Sequence, residues 1–169
     1  MFGEIFIGEI PATDPKSLLN RNLEVSLSQL LKNPSKYYAK LVFRTERVEE
    51  KNVYTRFNGY VVLKEYISRF IRKRLDKVYL NTDVETKDNW KLRMKMVLIL
   101  NRNTYSNIRT GARKRAETLL KELVGKTNLD GLMKDIISAA LQKSIKKQCH
   151  KTYPVRIVEV SKIEVKKVA

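Results

Sequence analysis

The chain has 169 residues, with 35 Lys and Arg against 18 Asp and Glu and a formal net charge of +17. Hydrophobic residues make up 43% of it, enough for a packed core, so a disordered polycation is excluded and one folded domain over residues 1–169 is expected. The longest apolar run, Met96 to Leu100, is too short for a membrane span, and Gly3, Glu4, Gly8 and Glu9 interrupt Phe2 to Ile10, which excludes a signal-peptide core.

Phe2 to Ile10 reads as an extended segment that Pro11, Asp14 and Pro15 break, with a loop to about Asn20. Leu23, Val25 and Leu27 alternate as a short strand, and Ser28 is placed to cap a brief helical turn through Leu31 that Asn33-Pro34 ends. Tyr37, Ala39, Leu41 and Phe43 share one face of the next extended run. Val53, Thr55 and Phe57 repeat that spacing after the polar link Glu49-Glu50-Lys51-Asn52, which predicts a hairpin with a bend or bulge at Asn58-Gly59. Leu63, Ile67, Phe70, Ile71 and Leu75 follow helical spacing and predict an amphipathic helix with Arg69, Arg72 and Lys73 outward.

A second hairpin is predicted from Val78, Leu80, Thr82 and Val84, a turn at Asp88-Asn89, and the returning Trp90, Leu92, Met94, Met96 and Leu98, with Lys91, Arg93 and Lys95 on the opposite face. Ile108, Ala112, Ala116, Leu119, Leu120 and Leu123 form one helical stripe, and Gly125 is placed to end it as a left-handed cap. Asn128 or Asp130 caps one further helix with the stripe Met133, Ile136, Ile137, Ala140, Leu141 and Ile145. After Pro154, the β-branched run Val155 to Val165 predicts a closing strand. There is no internal repeat. The fold class is α+β, a mainly antiparallel sheet or partly closed barrel with flanking amphipathic helices.

Catalytic chemistry finds little support. His150 and Cys149 are the one histidine and one cysteine, and as helix neighbours they point apart, so neither a thiol-imidazole pair nor a zinc site is assembled. His150 reads as a helix-end residue and Cys149 as a small packing residue, whose lack of a disulfide partner fits a reducing, cytoplasmic setting. Gly125-Lys126-Thr127 imitates the end of a phosphate-binding P-loop, but position 120, where the first glycine is needed, holds Leu120. Asp83, Glu85 and Asp88 read as a solvated strand face and a turn rather than a metal site. No catalytic residue, metal or cofactor is expected.

The basic segments remain, and their charge is local. Asn101 to Arg115 holds Arg102, Arg109, Arg113, Lys114 and Arg115 with no acid, and no acid occurs between Asp135 and Glu159. Guanidinium forks, amide and hydroxyl donors and Tyr105 together suit phosphate and 2′-hydroxyl contacts. Arg69, Arg72, Lys73 and Arg74, then Lys143, Lys146, Lys147 and Lys151, are further candidates, with Lys91, Arg93 and Lys95 on the hairpin. For Tyr105 a stacking role stands beside a packing one. Physics alone reaches a phosphate-binding α+β domain without a modular RNA signature: no GXXG loop is present, and Leu98-Ile99-Leu100 lacks an aromatic pair.

Four segments in order carry a resemblance: Glu24-Val25-Ser26-Leu27 with Leu30, Phe57-Asn58-Gly59-Tyr60, Asp83-Val84-Glu85-Thr86-Lys87-Asp88, and Lys151-Thr152-Tyr153-Pro154-Val155-Arg156-Ile157-Val158-Glu159-Val160. With the basic Tyr105 to Arg115 segment between them, the chain resembles the archaeal and eukaryotic small-subunit ribosomal protein family S-three-A-e. That resemblance implies a structural, non-enzymatic subunit on the platform of the small ribosomal subunit, near the messenger RNA exit. Its implied partners are small-subunit ribosomal RNA and neighbouring platform proteins. The family's Lys-rich extension before the first strand and polar tail after the last are missing, which implies a numbering that starts inside a longer chain or a short member. The family's Asp-Gly hairpin turn is Asp88-Asn89 here. A free RNA- or DNA-binding regulator is the alternative, and an enzyme acting on nucleic acid the third reading.

Overall fold

The computed structural model describes residues 6–12, 14–49, 52–151 and 153–167. The chain divides into two compact units, Met1–Leu63 and Lys64–Ala169. Both mix helix with antiparallel strand, the expected α+β class.

In the first unit, β1 (Asn22–Ser26) leads into the short helix α1 (Leu27–Leu31), followed by the long hairpin β2 (Ala39–Glu49) and β3 (Asn52–Val62). The strands pair in the order β1-β2-β3, and β1 does not pair with β3, so these three strands form an open ladder rather than a barrel. The expected bulge is present: Val42 pairs with Gly59 and Phe43 with Phe57, which leaves Asn58 as the extra residue. Its physical effect is a change of phase, because Phe57 faces inward before it and Tyr60 and Val62 after it. Buried Thr45 secures the approach to β1, accepting from the Arg21 amide at 3.0 Å and donating to the Leu18 carbonyl. Two expectations change here. Residues 6–10 form no strand, while residues 2–5 of the predicted extended segment, like Glu50 and Lys51 of the hairpin link, lie outside the described residues. Leu27 begins α1 and is fully buried, so Ser26, not Ser28, occupies the cap position.

The second unit opens with α2 (Lys64–Ser68) and continues through β4 (Lys77–Glu85), β5 (Lys91–Leu100), α3 (Ser106–Val124), α4 (Leu129–Ile137), α5 (Ala140–His150) and β6 (Val155–Lys167). Its strands pair antiparallel in the order β4-β5-β6. Inward residues alternate along β4 and along β5 as far as Met96, as the hairpin reading expects, whereas Met96 to Leu100 are buried at every position, and Asn89 takes the positive φ of 58° in the turn. Along β6 the inward residues Val155, Val158, Val160 and Ile163 are unevenly spaced because the ladder shifts register at Ile99/Leu100 and Lys95/Met96. α3 packs on β4 and α5 on β6, with α5 also against α3 and α4, which closes the core over Leu92, Met94, Met96 and Leu98.

Three helical expectations are corrected. The amphipathic helix over Leu63 to Leu75 stops at Ser68, and the chain continues in turns to Arg74, which sits at φ 69°. Gly125 is right-handed, with φ −61°. The single helix predicted from Met133 to Ile145 is two, because Ala139 adopts φ 62°. The break re-aims the second half: Ile136 and Leu141, five residues apart, are both buried, whereas Ala140 is exposed. Buried Gln142 donates to the Ile136 carbonyl at 3.1 Å, which also accepts from the Ala139 amide at 3.1 Å, so two donors hold the end of α4 at the break.

Candidate nucleic-acid interface

α3 presents a broad basic face because its buried line is narrow. Ala112, Ala116, Leu119, Leu120 and Val124 face the core, while Ile108 is exposed and Leu123 half-buried, which trims the predicted stripe at both ends. Arg109, Arg113, Lys114 and Arg115 therefore all reach solvent, and Arg102 is exposed in the loop before the helix. Among the described residues none of these five cations makes an ion pair within 4.0 Å.

The loop before α3 is held by Asp76, a residue that the sequence reading passed over. Its carboxylate accepts from the Thr104 amide at 2.6 Å and the Thr104 hydroxyl at 2.9 Å, and its carbonyl accepts from the Leu100 amide at 2.9 Å. These Thr104 bonds, with the Arg109 charge adding to them, hold the Asp76 carboxyl below the usual carboxylate range. A separation of 28 residues leaves no local signal that would have found this pair. Tyr105 follows at the cap position and is 84% exposed, which removes the packing alternative for its ring.

α5 turns Lys143, Lys146 and Lys147 outward with Lys151 at its end, opposite Leu141, Ile145 and Cys149 in the core. Here too no ion pair forms among the described residues. α3 and α5 pack together, and the Arg115 charge reaches the environment of Cys149, where burial pushes the thiol up and Arg115 partly offsets it. The two basic helices thus border one another within this unit.

Lys91, Arg93 and Lys95 are in a different electrostatic state. Arg93 grips Asp83 with two bonds of 2.7 and 2.8 Å, Lys91 meets Glu85 at 2.7 Å, and Lys95 lies 3.5 Å from Glu164, which Lys162 also holds at 2.7 Å. The register sets these pairs, placing Asp83 opposite Arg93 and Glu85 opposite Lys91. Asp83 and Glu164 are held below the usual carboxylate range, by the Arg93 bond and the Lys162 bond respectively, and the Glu85 bond raises Lys91. Two of the acids considered as metal ligands are thus cross-strand ion-pair partners. Asn128 occupies the N-cap position of α4, one of the two residues expected there, but makes no side-chain cap bond; the third acid, Asp88, accepts from the Leu129 amide at 3.1 Å from the hairpin turn.

Arg69, Arg72, Lys73 and Arg74 stay exposed on turns rather than on a helix face. His150 accepts from the Val155 amide through Nδ1 at 3.2 Å, a bond that ties the end of α5 to the start of β6. Among the described residues no group of three or more His, Cys, Asp or Glu side chains is arranged to hold a metal, and no helix is long and apolar enough to cross a membrane.

A strongly basic helical face on an α+β frame is shared by many phosphate-binding proteins, so comparison with known families decides which one this is. A model of the ribosomal S3Ae family matches residues 1–169. Small ribosomal subunit protein eS1 of Sulfurisphaera tokodaii is 34% identical over 166 residues, 98% of this chain and 86% of that protein. The protein of the same name from Methanothermobacter thermautotrophicus is 33% identical over 98% of this chain and 85% of its own length, and that from Methanococcus vannielii 31% over 97% and 74%. With a family match that spans every position and relatives aligned over nearly the whole chain, the protein belongs to the ribosomal S3Ae family.

Proposed function

We propose that this chain is a structural constituent of the small ribosomal subunit that binds ribosomal RNA through the outward cations of α3 and α5. The observation that carries this reading is the division of charge: among the described residues Arg102, Arg109, Arg113, Lys114 and Arg115 have no carboxylate partner, whereas Lys91, Arg93 and Lys95 are paired. A phosphate backbone gains most from cations whose charge is not already offset. Arg102 to Arg115 is the primary surface, Lys143, Lys146, Lys147 and Lys151 extend it, and the turn bearing Arg72, Lys73 and Arg74 is secondary. Family membership supports a cytoplasmic location on the subunit platform near the messenger RNA exit, among neighbouring platform proteins and without catalysis.

Sedimentation in high salt tests the reading. The tagged chain is expected to remain with small subunits after a high-salt wash, because an assembled ribosomal protein is held by many contacts at once. Release into the supernatant, with RNA binding retained by the free chain, would favour a free nucleic-acid-binding regulator instead.

A further inference from the structure

The apolar line of α3 continues past the point where the core stops covering it. At 100° per residue, Ile108 falls on the same side as Ala112, Ala116 and Leu119, and Tyr105 stands just before the first turn, at the extended cap position. From Ala112 onward this line is buried, yet Ile108 is 36% exposed and Tyr105 84%, and every residue from Tyr105 to Gly111 is exposed. The end is nevertheless held in place. Asp76 fixes Thr104, and the Tyr105 carbonyl accepts from the Ile108 and Arg109 amides at 3.1 and 3.2 Å.

Arg102 precedes this apolar pair and Arg109 and Arg113 flank it, all exposed and, among the described residues, without ion pairs. The combination calls for a ligand with a flat apolar face close to negative charge. A nucleobase outside the stack, with its own phosphates, has both, whereas a continuous A-form duplex presents phosphates and hydroxyls with its base faces covered. We propose that Tyr105 and Ile108 form a seat for an unpaired base, so that this end of α3 selects RNA bearing a bulged or looped nucleotide over uninterrupted duplex. The inference rests on α3 being an RNA surface and names the RNA class it takes.

The test uses the full chain and two labelled RNA duplexes of equal length, one fully paired and one with bulged nucleotides. Wild type is expected to bind the bulged RNA more tightly. Tyr105→Ala should weaken that binding roughly 5- to 150-fold, the range for loss of one stacked aromatic. It should change duplex binding little and leave the salt slope intact, while Tyr105→Phe keeps the preference and Ile108→Ala loses part of it. Equal affinity of wild type for both RNAs, or a Tyr105→Ala variant that retains the preference, overturns the seat while leaving the RNA surface standing. A Tyr105→Ala chain that keeps RNA affinity but fails to enter subunits assigns the seat to a protein and overturns it as well. Wild type that binds neither RNA removes the RNA reading itself.

Discussion

Replacing Arg109, Arg113 and Arg115 together by Ala tests whether local geometry or bulk charge holds RNA. All three guanidinium groups are exposed on α3 and, among the described residues, free of carboxylate partners, so each can neutralise a phosphate without first breaking an ion pair. Alanine is the strongest helix former, so the helix should survive, and circular dichroism checks this. Each phosphate left without its cation takes about 0.7 to 0.9 from the slope of log affinity against log salt, so the triple variant should lose about 2 to 3. The assay is fluorescence anisotropy of a labelled ribosomal RNA fragment across a salt series. Two controls sharpen it. Replacing Lys143, Lys146 and Lys147 by Ala should weaken binding less, because an ammonium lacks the two-pronged fit of guanidinium to phosphate. The double variant Asp83→Ala/Arg93→Ala removes one cross-strand pair at constant net charge and should leave the slope unchanged. Equal losses in the Arg and Lys triple variants, with unchanged dichroism, would refute the reasoning by showing that net charge alone decides binding. A slope lower by about 0.7 to 0.9 in the Asp83/Arg93 variant would show that the pair opens onto RNA.

Three further outcomes test the frame beneath this surface. Leu119→Ala empties a site that is 4% exposed and should cost about 2 to 5 kcal/mol in urea melts, while Ile108→Ala at the uncovered end of the same helix should cost far less. Ala139→Gly should stabilise the chain by about 0.5 to 1 kcal/mol, since glycine enters the left-handed region without the Cβ clash; a destabilisation would argue for one continuous helix. Asp76, held below its ordinary 3.8, binds fewer protons folded than unfolded, so its contribution is present above that value and lost as pH falls through the lower folded one. Asp76→Asn should therefore flatten the acid loss of stability below about pH 4 in melts at stepped pH. The loss should not vanish, because Asp83 and Glu164 act in the same direction.

Features that depend on neighbours along the chain were readable without coordinates. The β4-β5 hairpin follows from strict alternation around Asp88-Asn89, the Asn58 bulge from a residue pair that bends a strand, and the body of α3 from four-residue spacing. The basic face of α3 was legible for the same reason, since a run of arginines without acids is a one-dimensional property. The state of each charge was not. Lys91, Arg93 and Lys95 stand in the sequence as further cationic candidates, and only strand register sets Glu85 and Asp83 directly opposite two of them and brings Glu164 to the third. Asp76 reaches Thr104 across 28 residues and Asp88 reaches Leu129 across 41, distances over which no periodicity carries information. The break at Ala139 likewise defies propensity, because alanine favours the helix it interrupts; burial of both Ile136 and Leu141 outweighs the local cost. Composition and spacing act through adjacent residues, whereas pairing, capping and charge compensation are settled only where distant segments meet.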